Sequence, residues 1–137
     1  MKINEIMLGD YVMFNGSIYQ VEELSRKGWI YLSHNGVRVN MTTDYLLDEL
    51  QPVPIERLHL AKNGFKVREY SDDTEFYYYD CYEINVSFDE GLPEDDIPPT
   101  IFLTIEFAEK SIAMPIEYVH ELQQAMRIMG CDKEIKL

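Results

Sequence analysis

Three groups of residues have types and spacings that bear on chemistry. His120-Glu121-Leu122-Gln123-Gln124 approaches the H-E-x-x-H pattern, in which two histidines one helical turn apart hold zinc and the glutamate activates water. Here Gln124 replaces the second histidine, and no nearby cluster supplies another ligand, so a solvated helix face is the expectation and no metal or cofactor is expected. Asp89-Glu90-Gly91-Leu92-Pro93-Glu94-Asp95-Asp96 places five acids in eight residues, a possible oxygen source for calcium. It lacks the alternating ligands and distant Glu of an EF-hand loop. With Pro98 and Pro99 following, it reads as a stiff, solvated connector whose Asp89, Glu90, Glu94, Asp95 and Asp96 face a basic partner.

The third group is Trp29, Tyr31 and Arg38, which strand alternation places on one face, where they could stack on bases or hold a proline-rich peptide. The competing reading packs Trp29 against the second half of the chain, and it is favoured because a sole Trp buries much area at a junction. No glycine-rich phosphate loop, nucleophile elbow or spaced Cys/His pair occurs, and His34, His59 and His120 are scattered. Glu83 and Glu106, on adjacent strands, are the acids best placed for catalysis. The expectation is nevertheless a protein that is not an enzyme and takes no small-molecule substrate.

The acids are unevenly distributed. Residues 1–68 carry eight Lys/Arg against eight Asp/Glu, so the entire net charge of −13 falls in 69–137. Such a half repels nucleic-acid backbones and suits a protein partner with a basic surface. The composition, 46% hydrophobic and 12% aromatic over 137 residues, excludes wholesale disorder and collagen-like classes. Cys81 and Cys131 lie too far from each other and from any His for a metal quartet, and are expected as free thiols. Glu5 and Asp10 interrupt the opening before a signal-length apolar run, and no stretch approaches about twenty apolar residues, so the expected location is the cytoplasm, off the membrane.

These groups need elements to hold them. Asn15-Gly16 and Asn35-Gly36 predict two-residue hairpin turns, pairing Phe14 with Ser17, Val12 with Tyr19, Leu32 with Val39 and Ile30 with Met41. A helical turn over 43–49 and a short strand at 50–53 would complete an SH3-like small β-barrel over 1–54. Pro54 then opens a connecting helix within 55–64 that Asn63-Gly64 stops. In 65–137, Phe65 and Val67, then Phe76 and Tyr78, alternate inward. Tyr82, Ile84, Val86, Phe88 and Ile101, Leu103, Ile105, Phe107 form the core face of an antiparallel sheet. Pro115 at a first turn and Gly130 as a stop predict a covering helix over 115–129, buried through Val119, Leu122, Met126 and Met129, with His120 on its solvated side. A last strand is expected at 134–137. The fold class is therefore α+β, a small barrel followed by a sheet under one C-terminal helix.

Leu8-Gly9-Asp10-Tyr11-Val12 with Gly16 and Tyr19-Gln20-Val21, Leu50-Gln51-Pro52-Val53-Pro54-Ile55 leading to Asn63-Gly64-Phe65, and Tyr118-Val119-His120-Glu121-Leu122-Gln123 together resemble small uncharacterised proteins of gut Bacteroidetes and their phages or mobile elements. The resemblance spans most of the chain and implies a bacterial, mobile-element context; it transfers no catalytic or binding residue. The functional expectation is an accessory protein that binds a basic macromolecule through its acidic half. The alternative is a nucleic-acid module using the aromatic N-terminal face, and a small hydrolase stands behind both.

Overall fold

The computed structural model describes residues 5–25, 27–42, 49–71, 74–79 and 82–137, with the backbone alone for Met41 and 69–71. The chain divides into two compact units, Met1–Pro54 with Tyr118–His120, and Ile55–Glu117 with Glu121–Leu137. It is α+β, mostly two antiparallel sheets and one main C-terminal helix.

In the first unit β1 (Tyr11–Phe14), β2 (Ser17–Leu24), β3 (Trp29–His34), β4 (Val37–Thr42) and β5 (Gln51–Pro52) form a sheet of order β4-β3-β2-β1-β5. Both hairpins have the expected register, Val12 opposite Tyr19 and Leu32 opposite Val39. The reason is local: Asn15, Gly16, Asn35 and Gly36 all take positive φ (49°, 78°, 47° and 81°), as a type I′ turn demands. Val12, Phe14, Val21, Ile30, Leu32 and Leu50 make the core, with Tyr19, Leu24 and Val39 packed at its edge. The buried Asp10 carboxylate accepts the Met7 N–H at 2.8 Å. The sheet is open, with β4 and β5 at its edges, in place of the closed barrel expected. The helical turn expected over 43–49 lies, except for Glu49, outside the described residues.

The second unit opens with α1 (Arg57–Lys62), two residues later than Pro54 suggests, because Glu56 supplies a cap. Its side chain accepts the His59 N–H while His59 Nδ1 accepts the Glu56 N–H at 3.2 Å. Leu58 and Ala61 are exposed, leaving Leu60 as its buried anchor. Asn63-Gly64 ends it as expected, Gly64 at φ 85° and the Phe65 N–H returning to the Leu60 carbonyl. β6 (Lys66–Ser71), β7 (Thr74–Tyr79), β8 (Ile84–Asp89), β9 (Thr100–Phe107) and β10 (Lys110–Pro115) then form an open sheet in chain order. Ile84, Val86, Phe88, Leu103 and Ile105 are buried on one face. Leu122, Ala125, Met126 and Met129 of α2 (Val119–Ile128) and its C-terminal turn are buried in the same unit.

Four expectations are corrected. Tyr77, not Tyr78, points inward, because Tyr77 stands opposite the buried Val86; a run of aromatic residues has no phase until a partner strand sets it. Val67 shares Tyr77's register position yet is exposed, on the edge strand. Residues 110–115 are strand, and Pro115 ends it at a position that needs no donor. Finally, 134–137 is irregular chain held by two buried amides in place of a ladder. Gln123 Oε1 accepts the Ile135 N–H at 2.6 Å, and Asn63 accepts the Lys136 N–H at 2.7 Å while donating to the Lys136 carbonyl at 2.8 Å.

Candidate interaction surfaces

Ile30 and Leu32 point into the first unit's core, so the alternate residues of β3 and β4 form its outer face. Trp29 opens β3 with 41% of its surface exposed and is not sealed inside. The Arg38 guanidinium lies over the Tyr31 ring, 4.3 Å from its centroid, and pairs with Glu22 at 3.1 Å and Glu23 at 3.4 Å. A bulge between Val21 and Glu23 lets both acids reach one guanidinium. Trp29, Tyr31 and Arg38 are thus brought to one face, but its cation is already engaged by two carboxylates. The face is aromatic without being basic.

The acidic connector is divided by its own geometry. Asp89 Oδ1 accepts the Gly91 N–H at 2.8 Å, and Gly91 sits at φ 75°, where an added Cβ would lie 2.3 Å from the Ile97 carbonyl oxygen. Glu90 accepts from Arg57 Nη2 at 2.6 Å, Glu75 accepts from Arg57 Nε at 2.8 Å, and the guanidinium lies 4.8 Å from the Phe88 ring centroid. Partial burial works against Arg57's charge, but the hydrogen bonds and charges of Glu75 and Glu90 outweigh it and raise its pKa. Glu75 also raises the Tyr77 phenol's pKa, after burial, the larger cause. Asp89 and Glu90 therefore build the loop. Leu92 and Ile97 close it through N–H···O bonds of 2.9 and 3.0 Å, and Pro93–Asp95 form a 3-10 turn. On that turn Glu94, Asp95 and Asp96 are exposed and, among the described residues, have no ion-pair partner.

Glu83 and Glu106 do come together: the Glu106 N–H donates to the Glu83 carbonyl at 3.3 Å. Both carboxylates are exposed, Glu83 at φ 47°, and border two adjoining depressions of about 470 and 560 Å³. The larger has a floor of Phe76, Tyr78, Asn85 and Thr104, with Arg68 5.2 Å from the Tyr78 ring centroid. Among the described residues, neither depression is lined by a His or a Cys.

His120 is buried, contrary to its expected place on the solvated face. The first turn of α2 belongs to the first unit, so one apolar arc does not describe the whole helix. Its ring stacks on Tyr118 at 5.8 Å, and its Nδ1 has no hydrogen-bond partner among the described residues. Gln123, also drawn from the zinc-like motif, is 1% exposed and serves the C-terminal tail. Among the described residues no three His, Cys, Asp or Glu converge as a metal site, and no helix is long and apolar enough to cross a membrane. Cys131 is a buried free thiol whose pKa burial raises; Cys81 lies outside the described residues. Arg57, Glu75 and Asn63 were not legible as a site, because partners 18, 33 and 73 residues apart leave no local pattern.

Compared with known protein families, with characterised proteins and with solved structures, the chain matches none.

Proposed function

We propose that this protein is a non-enzymatic accessory protein that binds a basic partner protein through its acidic second unit. That unit holds eight Lys/Arg against eighteen Asp/Glu, a net charge of −10, whereas the first carries −3. The observation that carries the reading is the exposed turn Glu94-Asp95-Asp96, held outward by a loop whose other two acids are engaged internally. Charges fixed on a braced loop lose little freedom on binding and steer a basic surface from a distance. Acting in the cytoplasm of a bacterium as a product of a phage or mobile element, the context the family resemblance implies, such a protein would occupy a groove otherwise used by nucleic acid.

The 41% exposure of Trp29 beside Tyr31 favours a second reading, a nucleic-acid module on an SH3-like N-terminal sheet, but the pairing of Arg38 with Glu22 and Glu23 weighs against it. Fluorescence anisotropy with labelled deca-lysine and a labelled ten-nucleotide thymidine strand separates the two. Deca-lysine is expected to bind, to weaken steeply as NaCl rises, and to bind Glu94→Lys/Asp95→Lys/Asp96→Lys more weakly. Binding of the thymidine strand alone would replace the first reading with the second.

A further inference from the structure

The second unit's sheet ends on β10, whose sequence Lys-Ser-Ile-Ala-Met-Pro carries a single charge, at its first residue. Native edge strands are commonly protected by charges, bulges or shortness. The first unit's edge β4 has Arg38 and Asn40 at positions that face outward, whereas β10 has Ser111 and Ala113. Which backbone groups of β10 are open follows from its hairpin. The two-residue turn Ala108-Glu109 makes Phe107 and Lys110 a hydrogen-bonded pair, so Ile112 and Met114 also bond to β9. Ile116 continues that phase, its N–H donating to the Ile101 carbonyl at 2.9 Å. The N–H and C=O of Ser111 and Ala113, and the C=O of Pro115, therefore point away from the sheet and have no partner among the described residues. Pro115 stands where its missing N–H costs no ladder bond.

The side chains repeat this incompleteness. Ile112 lies opposite the buried Ile105 and Met114 opposite the buried Leu103, yet both β10 residues are only half-buried, so the inner apolar face stops short at the edge. One more strand would complete it. Its charge is specified by what surrounds the edge: Glu106 and Glu109 outnumber Lys110 at one end of β10, and Glu117 stands at the other. A second copy of the chain is a poor occupant. An antiparallel two-fold pairing centred on Ala113 sets Glu109 against Glu117 twice, between chains of net charge −13.

We infer that the basic partner is bound by β-augmentation: an extended segment with alternating apolar and Lys/Arg residues adds to β10, its backbone on Ser111, Ala113 and Pro115 and its apolar side chains beside Ile112 and Met114. This rests on the reading that the partner is basic, and adds the conformation in which it is held. The added strand brings the ladder bonds, the apolar face sets its register, and the flanking acids select its charge.

The test is titration of the ¹⁵N-labelled full chain with a capped octapeptide of alternating Lys and Val, against a Glu/Val octapeptide and deca-lysine. The Ser111 and Ala113 amides are expected to shift most and to gain exchange protection with the Lys/Val peptide alone. Ala113→Pro, which removes one outward donor, should weaken that peptide at least tenfold and leave deca-lysine unchanged. A thermal melt checks that this variant folds, and Glu109→Lys/Glu117→Lys, which leaves the backbone intact, should weaken the Lys/Val peptide in the same sense. Equal binding of the peptide to wild type and to both variants overturns the augmentation while leaving the basic-partner reading standing. Failure of both the Lys/Val peptide and deca-lysine to bind overturns that reading as well. Peptide-free dimerisation lost in Ala113→Pro would assign the edge to a second copy and contradict the inference.

Discussion

A few side chains decide how the second unit meets its surroundings, and His59 is the one whose protonation state is fixed by a bond. Its Nδ1 accepts the Glu56 N–H, which only the neutral ring can do. Burial lowers its pKa below 6.5, the nearby Glu56 charge opposes this and Lys62 reinforces it. The unfolded chain takes up the proton below its ordinary pKa of 6.5 while the folded chain resists. His59 therefore contributes stability that is whole above pH 6.5 and is lost as the pH falls through the lowered folded value. Melting temperature measured from pH 7.5 down to pH 5 should fall more in wild type than in His59→Gln; equal slopes would remove His59 from the account. Arg57 acts differently. It spends its charge on Glu75 and Glu90, which shapes the loop and leaves Glu94, Asp95 and Asp96 as the connector acids free of an internal role.

Elements were legible where a residue type was required by the backbone and hidden where it was not. The two Asn-Gly hairpins could be read because Asn and Gly are the residues that accept positive φ in succession, and the alternation of Ile84, Val86 and Phe88 announced a half-covered strand. The β9–β10 hairpin turns through Ala108 and Glu109 at φ 51° and 66°, residues that give no turn signal, so Pro115 looked like a helix start. The left-handed conformation costs such residues about 1–2 kcal/mol each. Ala108→Asn/Glu109→Gly should accordingly stabilise the fold by about 1 kcal/mol, read as a higher urea midpoint at unchanged slope. An unchanged or lower midpoint would show that the turn is not strained. The strand expected over 134–137 is missing for a related reason: Gln123 and Asn63 supply the hydrogen bonds a strand would have supplied, and one amide among many polar residues carries no mark of that role.

For the whole molecule, the sequence showed that the charge is lopsided but not where it is available. The boundary at residue 68 gives halves of 0 and −13; the compact units, which place residues 55–68 and their four Lys/Arg in the second unit, give −3 and −10. The two halves of the candidate surface also fared differently. Trp29, Tyr31 and Arg38 share a face as alternation required, yet ion pairs from Glu22 and Glu23 neutralise its cation, which no spacing rule reveals. Of the five connector acids, three face outward and two are structural, Glu90 held by the distant Arg57 and Asp89 by the Gly91 N–H. The acidity of the second unit is proposed to capture a basic protein. Exposed charge pairs lose most of their attraction once the screening length falls from about 10 Å at 0.1 M salt to about 3 Å at 1 M. This is tested most directly by capture from a lysate of the chain's own host cell at low and high NaCl, with wild type and Glu94→Lys/Asp95→Lys/Asp96→Lys as parallel baits. A basic protein should be held by wild type at low salt, released at high salt and missed by the triple variant. A partner held equally by both baits and indifferent to salt would contradict it.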